Sequence, residues 1–224
     1  MLTWVFDLDN TLHDASPHIF PHVNRSMTAY LQEHLALDEH AAAALRVHYW
    51  RTYGATLLGL IRHHDSDPRH FLWHTHQFAD LPRMVVADRA ALAVVRGLPG
   101  RKILFSNAPV HYVHAVLDIL GIASLFDAVY AIERVRFRPK PELAGFRQLI
   151  RAERLAVHRS VMVDDTLPNL RAAARLGMKT VWVSRGARAP RYLSARVGSV
   201  RELPRLLDRL TGSASAHPWR VGRG

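Results

Sequence analysis

The sequence predicts an α/β protein, a doubly wound and mostly parallel sheet with a helical segment inserted after the first strand. Three observations predict it. Trp4-Val5-Phe6 is a short apolar run that delivers Asp7-Leu8-Asp9-Asn10-Thr11-Leu12 at its end. From Asp88 onward, apolar runs of strand length alternate with amphipathic stretches of helical length. Between the two, from 13 to about 84, nothing reads as a core parallel strand.

The elements follow in order. His13-Asp14-Ala15-Ser16-Pro17 is a turn-like exit from the first strand. Residues 18–40 carry apolar side chains at helical spacing: Ile19, Val23, Met27, Tyr30, Leu31 and Leu35. A second helix starts near His40 and runs through Tyr49. Residues 54–63 are rich in Gly and Leu, and 68–79 read as helix opening at Asp67-Pro68. Helix 88–96 then precedes strand 102–105, and helix 110–120 precedes a short strand near Ala128–Ile132. Helix 141–152 precedes strand 160–163, and helix 167–176 stops at Gly177 before strand Thr180–Val183. Residues 200–210 form a short amphipathic helix. The expected organisation is an α/β core of residues 1–13 and 85–211, a helical insertion of 14–84, and a mobile basic tail of 212–224.

Composition bounds the function. With 224 residues and 49% hydrophobic side chains, the chain can build one sizeable core plus a smaller unit. Cysteine is absent, which excludes disulfides, thiolate chemistry and Cys-type zinc sites. No apolar run has membrane-spanning length, and the first strand begins too early for a signal peptide to precede it. A cytoplasmic protein is the expectation. The formal charge of +11 favours capture of anionic substrates. Its arginines are scattered among acids and apolar residues, so a solvated basic surface is expected rather than a specific nucleic-acid interface.

Carboxylates at the end of an apolar strand cost desolvation energy unless a cation or a network pairs them. A hard divalent cation such as Mg²⁺ suits carboxylate and carbonyl oxygens, and a carboxylate beside it suits phosphoryl transfer through an aspartyl-phosphate. Three further groups follow, each after an apolar run. Lys102-Ile103-Leu104-Phe105 leads to Ser106-Asn107-Ala108, Lys140 lies between Pro139 and Pro141, and Ser160-Val161-Met162-Val163 leads to Asp164-Asp165. Ligands of open α/β sheets bind at the carboxyl ends of the strands, where these groups would collect. Singly, each has a plainer explanation: an Asx turn, a helix cap, a solvated lysine, or acids at a helix N-terminus. Their order is what points to one site.

That order resembles the haloacid dehalogenase-like hydrolases, over roughly residues 4 to 185. The resemblance implies a Rossmann-like core, a helical cap over the site, and Mg²⁺ as cofactor. It implies Asp7 as nucleophile, Asp9 as general acid and base, and Thr11 as the residue that orients Asp9. Ser106 and the backbone amide of Asn107 would hold phosphoryl oxygens, and Lys140 would pair with the nucleophile. The metal would sit on the Asp7 side chain, the Asp9 carbonyl and Asp165, with Asp164 direct or through water. Asn169, near the start of its helix, could tether this loop or be an ordinary first-turn residue.

Segment His48-Tyr49-Trp50-Arg51-Thr52-Tyr53-Gly54 and the following Ala55–Leu60 resemble the cap of the pyrimidine 5′-nucleotidase branch. Ser106 departs from the threonine common there but keeps the hydroxyl. The resemblance implies a small phosphorylated metabolite, in particular a pyrimidine nucleoside 5′-monophosphate, contacted by His48, Tyr49, Tyr53 and Arg62. Phosphoglycolate, a sugar phosphate, a mutase outcome and a non-catalytic binding protein remain alternatives; oligomeric state is not legible. His63, His64, His70, His74 and His76 raise the question of zinc, but no His-Glu-x-x-His helix supports it.

Overall fold

The computed structural model describes residues 1–186 and 188–212. Its sheet has six strands: β1 (Thr3–Phe6), β2 (Arg101–Phe105), β3 (Ala128–Tyr130), β4 (Ser160–Asp164), β5 (Lys179–Val183) and β6 (Ala195–Val197). Their order is β3-β2-β1-β4-β5-β6, and every pairing is parallel. β1 is therefore central, between β2 and β4, and strand order reverses beside it. Phe6 pairs with Leu104 on one side and Val163 on the other, so the residues that follow these three strands lie side by side.

Both faces of β1 are buried, as a doubly wound sheet requires. Trp4 and Phe6 face one layer, with Val113, Val116, Leu117 and Leu203. Val5 faces the other, with Ile103, Phe105, Phe146, Leu149 and Met162. Each large apolar side chain so buried stabilises the fold by roughly 1.5–3 kcal/mol.

Six α-helices separate β1 from β2: α1 (Ile19–Leu35), α2 (Glu39–Tyr53), α3 (Thr56–His64), α4 (Pro68–Thr75), α5 (Leu81–Met84) and α6 (Arg89–Gly97). Asp38 caps α2 through the Ala41 amide, and Asp67 caps α4 with Pro68 in its first turn. The chain leaves and returns at one place, where the Asp14 amide donates to the Val86 carbonyl at 2.8 Å. Tyr30, Leu31, Leu57, Leu60 and Phe71 of these helices are buried in the same apolar cluster as Val5 and Phe105.

Beyond β2 come α7 (Val110–Leu120), α8 (Leu143–Ala152), α9 (Leu167–Arg175) and α10 (Leu207–Thr211). α6 precedes β2; α7 precedes β3, α8 precedes β4 and α9 precedes β5. α9 ends in a Schellman arrangement, with Gly177 at φ +88° and the Met178 amide on the Ala173 carbonyl.

Several expectations need correction. Residues 54–63, read only by composition, contain α3. The helix expected over 68–79 stops at Thr75. Residues 200–210 are not one helix: Val200–Leu206 is a 3₁₀ segment containing Pro204, and α10 follows. β6 was not anticipated. Of the expected tail, Gly212 terminates α10, and 213–224 lie outside the described residues. Among the described residues, no helix is long and apolar enough to cross a membrane.

Candidate active site

Asp7 is the first residue past β1, and its amide donates to the Val163 carbonyl at 2.9 Å. The ladder to β4 thus continues one residue beyond the strand and fixes the Asp7 backbone. Its carboxylate is buried; Oδ1 accepts from Lys140 Nζ at 2.6 Å and Oδ2 from the Thr11 hydroxyl at 3.3 Å. Thr11 therefore contacts Asp7, not Asp9 as the resemblance implied.

Lys140 is 1% exposed and holds a second carboxylate, Asp164 Oδ2, at 2.9 Å. Its backbone is clamped by one side chain: the Lys140 amide donates to Asn107 Oδ1 at 2.8 Å, and Asn107 Nδ2 donates to the Lys140 carbonyl at 2.9 Å. Asn107 thus has a side-chain role that sequence reasoning missed. The Lys140–Pro141 peptide is cis. Ser106 is buried and its Oγ accepts from the Ala108 amide at 3.0 Å. Its hydroxyl hydrogen donates to no described residue.

Asp164 ends β4 and is fully buried. Its Oδ1 accepts from the Thr166 amide at 2.8 Å, and Asn169 Nδ2 lies 3.1 Å from both of its oxygens. Asp165 accepts from the Thr166 hydroxyl at 3.1 Å, and its carbonyl accepts from Trp182 Nε1 of β5 at 2.8 Å.

The electrostatics follow from this count of charges. Burial pushes the Asp7 carboxyl well above the ordinary carboxylate range; Lys140 opposes it, and Asp164 and Asp165 add to it. Burial, then Asp164, raises Asp165 to about 6. Burial alone would lower Lys140, but Asp164 and Asp7 outweigh it, and the ammonium is held in its charged form. One lysine faces three carboxylates, whose ligand oxygens lie within 4.8 Å of one another. This is the donor set of a hard divalent cation. Among the described residues it is also the group of three or more acidic or histidine side chains so arranged. Asp7, Asp164 and Asp165 would hold the metal.

Asp9 stands slightly apart. Its Oδ1 accepts from the Tyr112 hydroxyl at 2.6 Å and lies 2.9 Å from His13 Nε2. Sequence reasoning named neither partner.

The helical residues expected to contact substrate divide. Arg62 Nη2 donates to Glu142 Oε1 at 2.9 Å and its guanidinium lies 4.7 Å from the Tyr53 ring. Gly54, φ +82°, abuts Pro141: a Cβ there would lie 2.6 Å from its Cδ. Tyr53 and Arg62 thus border the Lys140 segment. Tyr49 does not look outward; its ring packs on Gly59 and its hydroxyl meets His64 Nε2 at 2.7 Å. His48 is exposed on α2, in a shallow groove with His40, Ala43 and Arg51. The histidines considered for zinc meet other partners: His63 meets the Tyr53 hydroxyl, His70 the Tyr30 hydroxyl, and His76 the Leu72 carbonyl and Thr75 hydroxyl.

Comparison with known proteins bears on the fold and the family. Phosphate metabolism protein 8 of Saccharomyces cerevisiae is 26% identical over 190 residues, 77% of this chain and 58% of that protein. The chain therefore spans a little over half the length of this curated relative. A HAD phosphatase from Thermococcus onnurineus is 21% identical, with a TM-score of 0.65 over 92% of this chain and 98% of its own. The 2-haloacid dehalogenase of Pseudomonas syringae pv. tomato DC3000 is 19% identical, with a TM-score of 0.61 over 93% and 99%. The Bacillus subtilis HAD-hydrolase YfnB, solved with magnesium bound, is 15% identical, with a TM-score of 0.62 over 92% and 98%. At these identities the solved structures speak for the fold alone, and they include both phosphatases and dehalogenases. The family model for haloacid dehalogenase-like hydrolases matches residues 1–177, most of the 224, and the chain belongs to that family.

Proposed function

We propose that this chain is a Mg²⁺-dependent phosphomonoester hydrolase that works through an aspartyl-phosphate on Asp7. The observation that carries the reading is Lys140 Nζ between Asp7 and Asp164, with Asp165 completing a three-carboxylate cluster. When bound, Mg²⁺ supplies positive charge that offsets the repulsion between an anionic nucleophile and an anionic ester. Asp7 attacks phosphorus, an Asp7–phosphorus bond forms, and the ester bond breaks. The leaving oxygen takes a proton from Asp9. A water then gives its proton to Asp9 and attacks phosphorus, releasing inorganic phosphate and restoring Asp7. Ser106 donates to a phosphoryl oxygen, and Lys140 stays charged throughout. Asn107 keeps Lys140 in place, and its own amide is a second donor. Little covalent help is needed; alignment and charge do most of the work.

Dehalogenation of a 2-haloacid is disfavoured. It has no leaving alcohol to protonate and would leave Asp9 without a task. We further propose that residues 14–84, with helices α1–α5, act as the cap that selects the leaving group, and that the substrate is a pyrimidine nucleoside 5′-monophosphate. The resemblance of 48–60 supports this, and so does the Tyr53–Arg62 pair bordering Pro141 and Glu142. Tyr53 offers an aromatic face to a base.

The test is phosphate release with Mg²⁺ from UMP, CMP, dTMP, AMP, GMP, phosphoglycolate and sugar phosphates, beside Asp7→Asn. Selective turnover of the pyrimidine nucleotides, abolished by chelation and in the variant, is expected. Turnover that survives Asp7→Asn overturns the nucleophile; turnover confined to other esters overturns the nucleotide and keeps the mechanism.

A further inference from the structure

Asp9 lies outside the Asp7–Asp164–Asp165 cluster, with its side chain 18% exposed. Two side chains converge on one of its oxygens. The Tyr112 hydroxyl donates to Oδ1 at 2.6 Å, and His13 Nε2 lies 2.9 Å from the same atom. Among the described residues, Oδ2 has no hydrogen-bond partner. The carboxylate is therefore fixed by one oxygen, and the other is kept open.

Neither partner is an incidental neighbour. Tyr112 and His13 are both buried, and the single polar side-chain atom of Tyr112 is used on Asp9. The Tyr112 ring is packed by His76 and Phe78, at centroid distances of 5.7 and 5.4 Å, from the segment between α4 and α5. His13 Nδ1 is buried with no partner. A buried N–H without an acceptor is rarer than an unsatisfied lone pair, so the proton belongs on Nε2, where it donates to Asp9. An orphaned ring nitrogen is then the consequence of placing the other one on the acid.

We propose that Tyr112 and His13 are positioning residues for Asp9. Both donate to Oδ1, hold the plane of the carboxylate, and reserve Oδ2 for the proton that passes to the leaving oxygen. This rests on the acid–base reading of Asp9 given above. In the first step the ester P–O bond breaks and its electron pair goes to the leaving oxygen, which takes hydrogen from Asp9 Oδ2. Asp9 becomes a carboxylate, and the two donors on Oδ1 stabilise the charge. In the second step Oδ2 takes a proton from water. No proton passes through Tyr112 or His13, and neither touches substrate.

Leaving-group dependence separates this role from a merely structural one. An alkyl ester needs its leaving oxygen protonated; p-nitrophenyl phosphate departs as a stabilised phenolate and needs it far less. The readout is kcat/KM, which reports through the first irreversible step, measured with saturating Mg²⁺. In Tyr112→Phe the loss on the best alkyl phosphate should be about ten- to a hundredfold, and at least about fivefold greater than the loss on p-nitrophenyl phosphate. His13→Leu should show the same selectivity, and His13→Gln, which retains an N–H, should recover most of the alkyl-ester activity. Equal losses on the two esters, or no rescue by glutamine, overturn the proposal. Asp9→Asn distinguishes the two levels: if it is selective while Tyr112→Phe is not, the acid stands and the clamp falls. If Asp9→Asn is itself unselective, the acid role falls and takes the clamp with it.

Discussion

A single ammonium group faces three carboxylates at the end of β1 and β4. Removing it leaves Asp7 and Asp164 buried beside one another without a cation. Lys140→Met should therefore destabilise the metal-free protein by about 3 kcal/mol at neutral pH, read by urea unfolding. It should also lower kcat/KM by at least about a hundredfold, because charge stabilisation of the transferring group goes with it. An unchanged unfolding midpoint would show that the carboxylates were never charged together. Asn107 acts through the same lysine. Asn107→Ala removes both hydrogen bonds to the Lys140 backbone and should cost about 1–2 kcal/mol and roughly tenfold in kcat. A loss of stability with kcat intact would reduce Asn107 to a loop staple. At this scale the acids and Lys140 were legible because each follows an apolar run or sits between prolines. The Asn107 clamp, the Thr11–Asp7 contact and the Tyr112–Asp9 contact were not. Side-chain partners 33 or 103 residues apart leave no spacing rule in a single sequence, and Thr11 lies near enough in the chain to both Asp7 and Asp9 that spacing does not choose between them.

Elements place these side chains by close approach, which a sequence does not announce. Gly145 in the first turn of α8 lies against the Arg138 carbonyl; a Cβ there would sit 2.2 Å from that oxygen and 3.6 Å from Phe105. α8 is thus docked on the backbone that leads to Lys140. Gly145→Ala should cost about 2 kcal/mol by overpacking, a fall of several degrees in Tm, and should cut kcat further by displacing Lys140. Gly97, at the end of α6, has nothing within 4 Å of its Cβ position. Gly97→Ala should be neutral or stabilising by up to about 1 kcal/mol with activity retained, the contrast that ties the Gly145 effect to contact. Calorimetry and initial rates on both variants decide it. Strands that are short apolar runs between helices could be read from the sequence. β6 could not: it has three residues, and its middle one, Arg196, is exposed. The 200–210 segment has a helical apolar pattern, yet Pro204 interrupts it, and the structure answers with a 3₁₀ turn.

Across the whole molecule two opposite titrations share one pH window. Asp7 and Asp165 have native pKa values raised above 3.8, Asp165 to about 6, so the native state binds protons more tightly than the unfolded chain. Their contribution makes the metal-free protein less stable as pH rises from about 4 to 6, with Asp165 alone worth about 3 kcal/mol. Burial lowers His76 to about 4, so the unfolded chain binds its proton more readily. This contribution makes the protein more stable as pH rises from about 4 to 6.5, again by about 3 kcal/mol. The His76 contribution offsets about as much as Asp165 gives, and Asp7 adds to the fall, so the wild-type curve in chelator should decline with pH across that window. His76→Asn removes the opposing contribution and should make that decline steeper, by about 3 kcal/mol over the window. On the proposed site Mg²⁺ would compete with the protons on Asp7 and Asp165, so its effect should grow with pH. At about a hundred times its Kd it should add roughly 2.7 kcal/mol at pH 7.5, several degrees in Tm, and much less at pH 5. Thermal unfolding of wild type and His76→Asn, with Mg²⁺ and with chelator at both pH values, tests each term separately. A Mg²⁺ stabilisation equal at the two pH values would mean that the cation is not held by these carboxylates.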